Sequence, residues 1–277
     1  MQVHADLHAH TNASDGDLSP LELVALAKEK KLSALGITDH DTLMGVGEGL
    51  EAGGMYGIHI IPGVEISAIY DPGTLHILGY FRGYPVGLEM DLEYVQKGRS
   101  DRFPKIIEKL NAMGLKITLT DVTEIAGGAQ IGRPHIAKAL MKKGYVKDFD
   151  EAFDNYLAKG KPGYVEKKKL TCEKATMLIN RHGGVPVLAH PFTLKLGDDD
   201  LKHFTLHLKQ YGLMGIEAYY PEHTREQTRL YKSIAKALDL ILTGGTDYHG
   251  SDRNGASLGD TGVDRGTLMT LLKCVER

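Results

Sequence analysis

Cysteine is scarce in this 277-residue chain: Cys172 and Cys274 are its only two, far apart and outside any Cys-x-x-Cys spacing. That excludes a disulfide framework and a thiolate-built metal site, and it points to a reducing compartment. An excess of charge is also lacking, since the formal net charge is -3 with histidine counted as neutral. Proteins that grip extended duplex nucleic acid usually carry a basic surface, so no extended duplex partner is expected. No apolar run approaches the roughly 20 residues of a membrane span. Met1 leads directly into Gln2-Val3-His4-Ala5-Asp6, with no basic and apolar leader. The expectation is a cytoplasmic protein without membrane contact.

What is present is an alternation of strand and helix signals. Residues 2–7 read as a strand, and Ser19-Pro20-Leu21-Glu22 then opens a helix with a capping box and proline at the first helical position. Strand patterns follow at 34–38, 58–66, 76–80, 185–189, 215–218 and 240–243, with helical patterns at 43–52, 172–182, 199–211, 224–238 and 265–276. Repeated β-α units of this length imply a mostly parallel sheet closed into a barrel or near-barrel. From about 98 to 167 the alternation lapses into helical candidates at 104–113, 134–143 and 149–157, which reads as an insertion.

Metal-ligating side chains recur at the ends of the strand runs: His8 and His10, His40, Glu65, His190, and Asp247 with His249. In parallel α/β folds these ends open onto one face, where residues distant in sequence converge. Histidines scattered for structural reasons have no cause to prefer strand ends. His8 and His10, at alternate positions of an extended chain, project to one side. With Asp15 and His76 the set exceeds the coordination of one ion, and imidazole with carboxylate suits Mn, Fe or Zn. Glu65 is a candidate bridge between ions. Asp39, beside His40, is expected to support a ligand histidine from behind.

Asp6-Leu7-His8-Ala9-His10, Thr38-Asp39-His40-Asp41, His190-Pro191 and Asp247-Tyr248-His249 resemble the signatures of the polymerase and histidinol phosphatase (PHP) family. Within it the chain is similar to the stand-alone nucleotide phosphatases and 5'-3' exoribonucleases of the amidohydrolase-like group. The resemblance implies an α/β fold, a distorted (β/α)7 barrel formed by 1–97 and 168–277, with a small, mainly helical insertion at 98–167 that caps the substrate. It also implies three divalent metal ions. His8, His10, Glu65 and Asp247 would hold one, Glu65, His76 and His190 a second, and Asp15, His40 and His249 the third. The implied activity is hydrolysis of phosphate esters by a metal-bridging hydroxide.

The insertion contains Gly132-Arg133-Pro134-His135, similar to a segment that faces the substrate phosphate in the small phosphoesterases of the family. A guanidinium grips two phosphate oxygens at once, which makes Arg133 a candidate phosphate clamp beside its simpler reading as a helix start. His135 and Lys161 are further substrate-contact candidates. His223, just past a strand, is either a proton donor to the leaving group or an exposed residue near a helix start. Glu65, Arg133, His135 and His223 form the expected catalytic set. The expected substrate is a small phosphorylated nucleotide, of the AMP or nucleoside 3',5'-bisphosphate type, or the end of a short single-stranded oligonucleotide. Alternatives are a histidinol-phosphate phosphatase and a non-catalytic metal-binding regulatory module.

Overall fold

The computed structural model describes residues 3–93, 101–127, 131–165, 169–250 and 255–276. The chain divides into two compact units, one comprising Met1–Leu92 with Lys169–Arg277 and the other Glu93–Lys168. Gln2, residues 98–100 and Lys167 and Lys168 of the lysine run lie outside the described residues.

The first unit is built on a seven-stranded sheet whose spatial order is its sequence order, β1 Ala5–Ala9, β2 Ala34–Ile37, β3 His59–Ala68, β4 Leu75–Tyr80, β5 Val185–Leu188, β6 Gly215–Tyr219 and β7 Ile241–Gly244. Ala9 bridges Tyr248 and Ala5 bridges Val263, so the chain beyond β7 returns to β1 and the sheet is a nearly closed barrel. Parallel pairing joins β1 to β2, β2 to β3, β5 to β6 and β6 to β7. The mostly parallel sheet has one exception, because β4 runs antiparallel to both β3 and β5. Residues 69–74 are too few for a crossover helix, and a short connection can only fold the chain back as a hairpin.

Alternate residues of the strands feed two apolar clusters, as the period of two requires. Val64, Ile66, Ile77, Leu188 and Ile216 pack with Ala175 and Ile179 of helix Cys172–Arg181 and with Tyr231 and Ile234 of helix Arg225–Ala237. Their strand neighbours Ile61, Leu78, Tyr80 and Val187 join Leu7 of β1 and Leu268 and Leu271 of helix Arg265–Val275. The first helix, Pro20–Glu29, starts on the capping box expected from Ser19 and Glu22.

The second unit has its own core of Phe103, Ile106, Leu110, Val122, Ile136, Leu140 and Leu157. Its helices are Arg102–Ala112, Leu119–Ala126, Arg133–Lys142 and Phe149–Ala152. The last of these widens at once into a π-helical turn, Phe153–Leu157. Helix Leu119–Ala126 was outside the sequence expectation. Its signals were Thr118 capping with Asp121 and Gly127 ending the helix in a left-handed conformation. Among the described residues no helix is long and apolar enough to cross a membrane.

The approach of β1 and β2 is a point of sensitivity. A Cβ added at Gly36 would lie 2.4 Å from the Leu7 carbonyl oxygen and 2.8 Å from its carbon. Gly36→Ala must push the two strands apart and should lower stability by roughly 1–3 kcal/mol, as overpacking does. Urea unfolding would show this as a lower midpoint, and an unchanged midpoint would contradict the strand contact.

Candidate metal centre

The strand ends deliver the ligand-type residues to one place. β1 carries His8, and His10 follows it. The loop after β2 carries His40, and β3 and β4 carry Glu65 and His76. His190 stands just past β5, and Asp247 with His249 just past β7. The His40 loop is fastened to β3 by backbone bonds on either side of His40, Glu65 N to Asp39 O at 3.1 Å and Asp41 N to Glu65 O at 3.0 Å.

Glu65 is fully buried at the centre. Its Oε1 lies 2.7 Å from His76 Nδ1 and 2.9 Å from His190 Nε2. Its Oε2 lies 2.9 Å from His40 Nδ1, 3.2 Å from His10 Nε2 and 3.4 Å from His8 Nε2. Asp247 Oδ1 adds contacts of 3.0 Å to His10 and 3.2 Å to His8, and His249 Nε2 lies 3.3 Å from Asp15. Three sets offer atoms within 4.8 Å of one another: His8, His10, Glu65 and Asp247; His40, Glu65 and His76; and His10, Asp15, His40 and His249. His10 and His40 thus each serve two sets, a sharing the sequence did not suggest. His190 reaches the cluster through Glu65 and through His76 Nδ1 at 3.3 Å.

The donor set fits divalent cations on two counts. His8 Nε2, both ring nitrogens of His10, Glu65 Oε2 and Asp247 Oδ1 are buried without a hydrogen-bond partner among the described residues. Polar atoms rarely persist in that condition unless a ligand completes them. The electrostatics also demand positive charge. Burial works against ionising Glu65, yet His76, His40 and His8 hold its carboxyl well below the usual range. Burial likewise opposes protonation of His10, but Asp247 and Glu65 pull it up to about 10.

A second layer fixes these groups. Buried Asp6 accepts from Thr246 Oγ1 at 2.6 Å, Thr246 N at 3.0 Å and Gly259 N at 3.0 Å, which ties β1 to the loop that carries Asp247. That loop passes so close that a Cβ on Gly245 would lie 2.4 Å from His8 N. Asp39 accepts from Thr11 N at 2.8 Å, Thr11 Oγ1 at 2.7 Å and Ser14 Oγ at 2.6 Å. It therefore holds the loop leading to Asp15, whereas the sequence reading gave it a ligand histidine. Tyr220 Oη donates to Asp247 Oδ2 at 3.0 Å, and Glu217 Oε1 lies 3.0 Å from His8 Nδ1. Neither residue was singled out from the sequence. The available signal for Glu217 was a carboxylate inside an otherwise apolar strand run.

Beside the cluster lies a cavity of about 300 Å³ lined by Thr74, Phe192, Thr193, Tyr220 and Glu222 with ligand-type residues. His223 packs on Phe192, Tyr220 and Tyr231, with ring centroids 5.4, 5.2 and 4.9 Å away. Its Nδ1 donates to Ala218 O at 3.2 Å, and burial lowers its pKa. In the second unit, Arg133 opens its helix beside Pro134 and donates to Leu157 O at 3.0 Å. Its guanidinium lies over the rings of Phe153 and Tyr164. His135 Nδ1 accepts from Gly132 N at 2.9 Å, and Lys161 is exposed in a turn.

A nearly closed α/β barrel with imidazoles and carboxylates gathered at its strand ends defines a metallohydrolase. Residues 6–166 match the PHP domain family. Over 249 residues the chain is 33% identical to the 5'-3' exoribonuclease Rnm of Escherichia coli, covering 88% of this chain and 84% of that protein. It is 31% identical to a 3',5'-nucleoside bisphosphate phosphatase of Chromobacterium violaceum, over 94% of this chain and 92% of the relative. A candidate metal-dependent phosphoesterase from Bifidobacterium adolescentis superposes with a TM-score of 0.85 at 29% identity, covering 98% of this chain and 96% of the other. The chain belongs to the PHP domain family and is a metal-dependent hydrolase of phosphoric esters.

Removal of divalent metal with a chelator should lower the thermal midpoint, and Mn²⁺ should restore it, because a ligand bound only by the native state stabilises it by about 2.7 kcal/mol at a hundred times its Kd. Glu65→Gln should abolish that increment. A wild-type midpoint indifferent to metal would contradict the divalent site.

Proposed function

We propose that the chain releases phosphate from a small nucleotide, of the AMP or nucleoside 3',5'-bisphosphate type, using three divalent ions (Mn, Fe or Zn) held by His8, His10, Asp15, His40, Glu65, His76, His190, Asp247 and His249. The observation that carries this reading is the juxtaposition of the adjacent cavity with the buried imidazole and carboxylate atoms left without hydrogen bonds. Aromatic Phe192 and Tyr220 offer faces for a planar base, and Thr74, Thr193 and Glu222 offer polar groups for a sugar. The names of the bisphosphatase and exoribonuclease relatives support a nucleotide as the esterified group. The exoribonuclease likeness favours, as a second reading, attack at the terminal bond of a short oligonucleotide.

Divalent ions at such ligands supply Lewis acidity toward phosphoryl oxygens and lower the pKa of water toward neutrality. The protein's part is to hold them. Glu65 turns Oε1 to His76 and His190 and Oε2 to His8, His10 and His40, so its two oxygens could serve more than one ion. Tyr220 leaves Asp247 Oδ1 free to face His8 and His10 by bonding its other oxygen. With Nδ1–H committed to Ala218 O, neutral His223 presents an acceptor at Nε2, which suits a substrate hydroxyl better than protonation of a leaving group. Substrate contacts by Arg133, His135 and Lys161 are proposed from the Gly-Arg-Pro-His motif and its neighbourhood, with the Glu93–Lys168 unit as the substrate cap.

A phosphate-release screen with Mn²⁺ should rank AMP, nucleoside 3',5'-bisphosphates and 5'-phosphorylated dinucleotides above histidinol phosphate. A dominant preference for histidinol phosphate would overturn the nucleotide reading, and bound metal with no ester hydrolysis would favour a regulatory module. Arg133→Ala should lower kcat/KM by about 10²–10³, the usual cost of losing one charge-stabilising donor. Glu65→Gln should lose turnover altogether.

A further inference from the structure

Glu217 belongs to none of the ligand sets, yet it is wholly buried within the strand Gly215–Tyr219. A carboxylate in such surroundings is costly unless both oxygens are bonded. Both are, and each bond ends on a metal-ligand candidate. Oε1 lies 3.0 Å from His8 Nδ1, and Oε2 accepts from the His190 backbone amide at 2.8 Å. The opposite ring atoms of those residues face the cluster, His8 Nε2 at 3.2 Å from Asp247 Oδ1 and His190 Nε2 at 2.9 Å from Glu65 Oε1.

Two consequences follow from donor and acceptor rules. A carboxylate only accepts, so the His8 proton that faces it must sit on Nδ1, and in the neutral ring that a cation would bind this leaves the lone pair on Nε2 toward the cluster. His190 has φ 23°, sparsely populated for a residue with a side chain. Such backbone persists only where its surroundings over-determine it. The amide bond to Glu217 is one such constraint, and the bond between His190 Nδ1 and Thr193 Oγ1 at 3.1 Å is another.

We propose that Glu217 is a positioning residue of the metal centre: it selects the His8 tautomer whose Nε2 can bind a divalent cation, and it pins the His190 backbone so that the second imidazole reaches the same cluster. The proposal rests on the divalent-metal reading above. Glutamine cannot substitute. It has one acceptor oxygen and one NH₂ donor, so it either loses the His190 amide or meets His8 with a donor. In the latter case the ring proton moves to Nε2, where the cation should bind.

Competition with a fluorescent chelator should find Mn²⁺ bound about 10–100-fold more weakly by Glu217→Gln than by wild type, the usual effect of removing a partner that orients a ligand histidine. Thermal midpoints in chelator provide the control. A metal-free midpoint that falls while Mn²⁺ affinity stays within twofold of wild type would mean a merely structural carboxylate and would overturn the proposal. The wild type gives a test that needs no variant: long-range ¹H–¹⁵N spectra of the zinc-loaded protein should show His8 protonated at Nδ1. A proton on Nε2 would overturn the proposal while leaving the metal reading intact. Failure of wild type to bind Mn²⁺ or zinc would sink both.

Discussion

Glu65 places a carboxylate where no water reaches it, and such a group is stable as an anion only against compensating positive charge. The imidazoles that approach it come from β1, from the loop after β2, from β4 and from the turn after β5. No local segment can supply that set. A barrel can, because its strand ends share one rim. The requirement therefore reaches outward into the fold. Asp6 must join β1 to the loop beyond β7, Gly245 must be small enough for that loop to touch His8, and β4 must run backwards so that His76 lies across the ladder from Ser67, two residues from Glu65.

The cluster is also where backbone regularity gives way. Asp247 and His190 both have positive φ, and each is fastened from behind, Asp247 by Tyr220 and His190 by Glu217. A strained side chain held from behind by a hydrogen bond keeps its direction by itself, so a cation at the cluster need not organise it. This is preorganisation in its literal sense, with the cost met during folding.

The ligand types were legible because their positions obey two simple periodicities, alternation along a strand and recurrence at strand ends. His8 and His10, Glu65, and Asp247 are brought together from three such places. What supports them was hidden for a physical reason. Glu217 alternates with apolar neighbours in a way that fits a solvent-facing strand residue as well as a buried one, and only the closure of the barrel reveals that its side chain looks inward. Asp39 is expected from the sequence to support a ligand histidine, but hydrogen bonds follow space, and its carboxylate bonds Thr11 and Ser14. The reversal of β4 was implicit in a connection too short for a helix. Helix Leu119–Ala126 escaped because eight residues give an apolar period little room to declare itself.

Asp6 and Thr246 are separated by 240 positions, and their bond closes the barrel beside His8 and Asp247. Distant segments must meet before such a contact gains any reward. The donor set is complete only where both ends of the chain have met, so no fragment that lacks either end carries it.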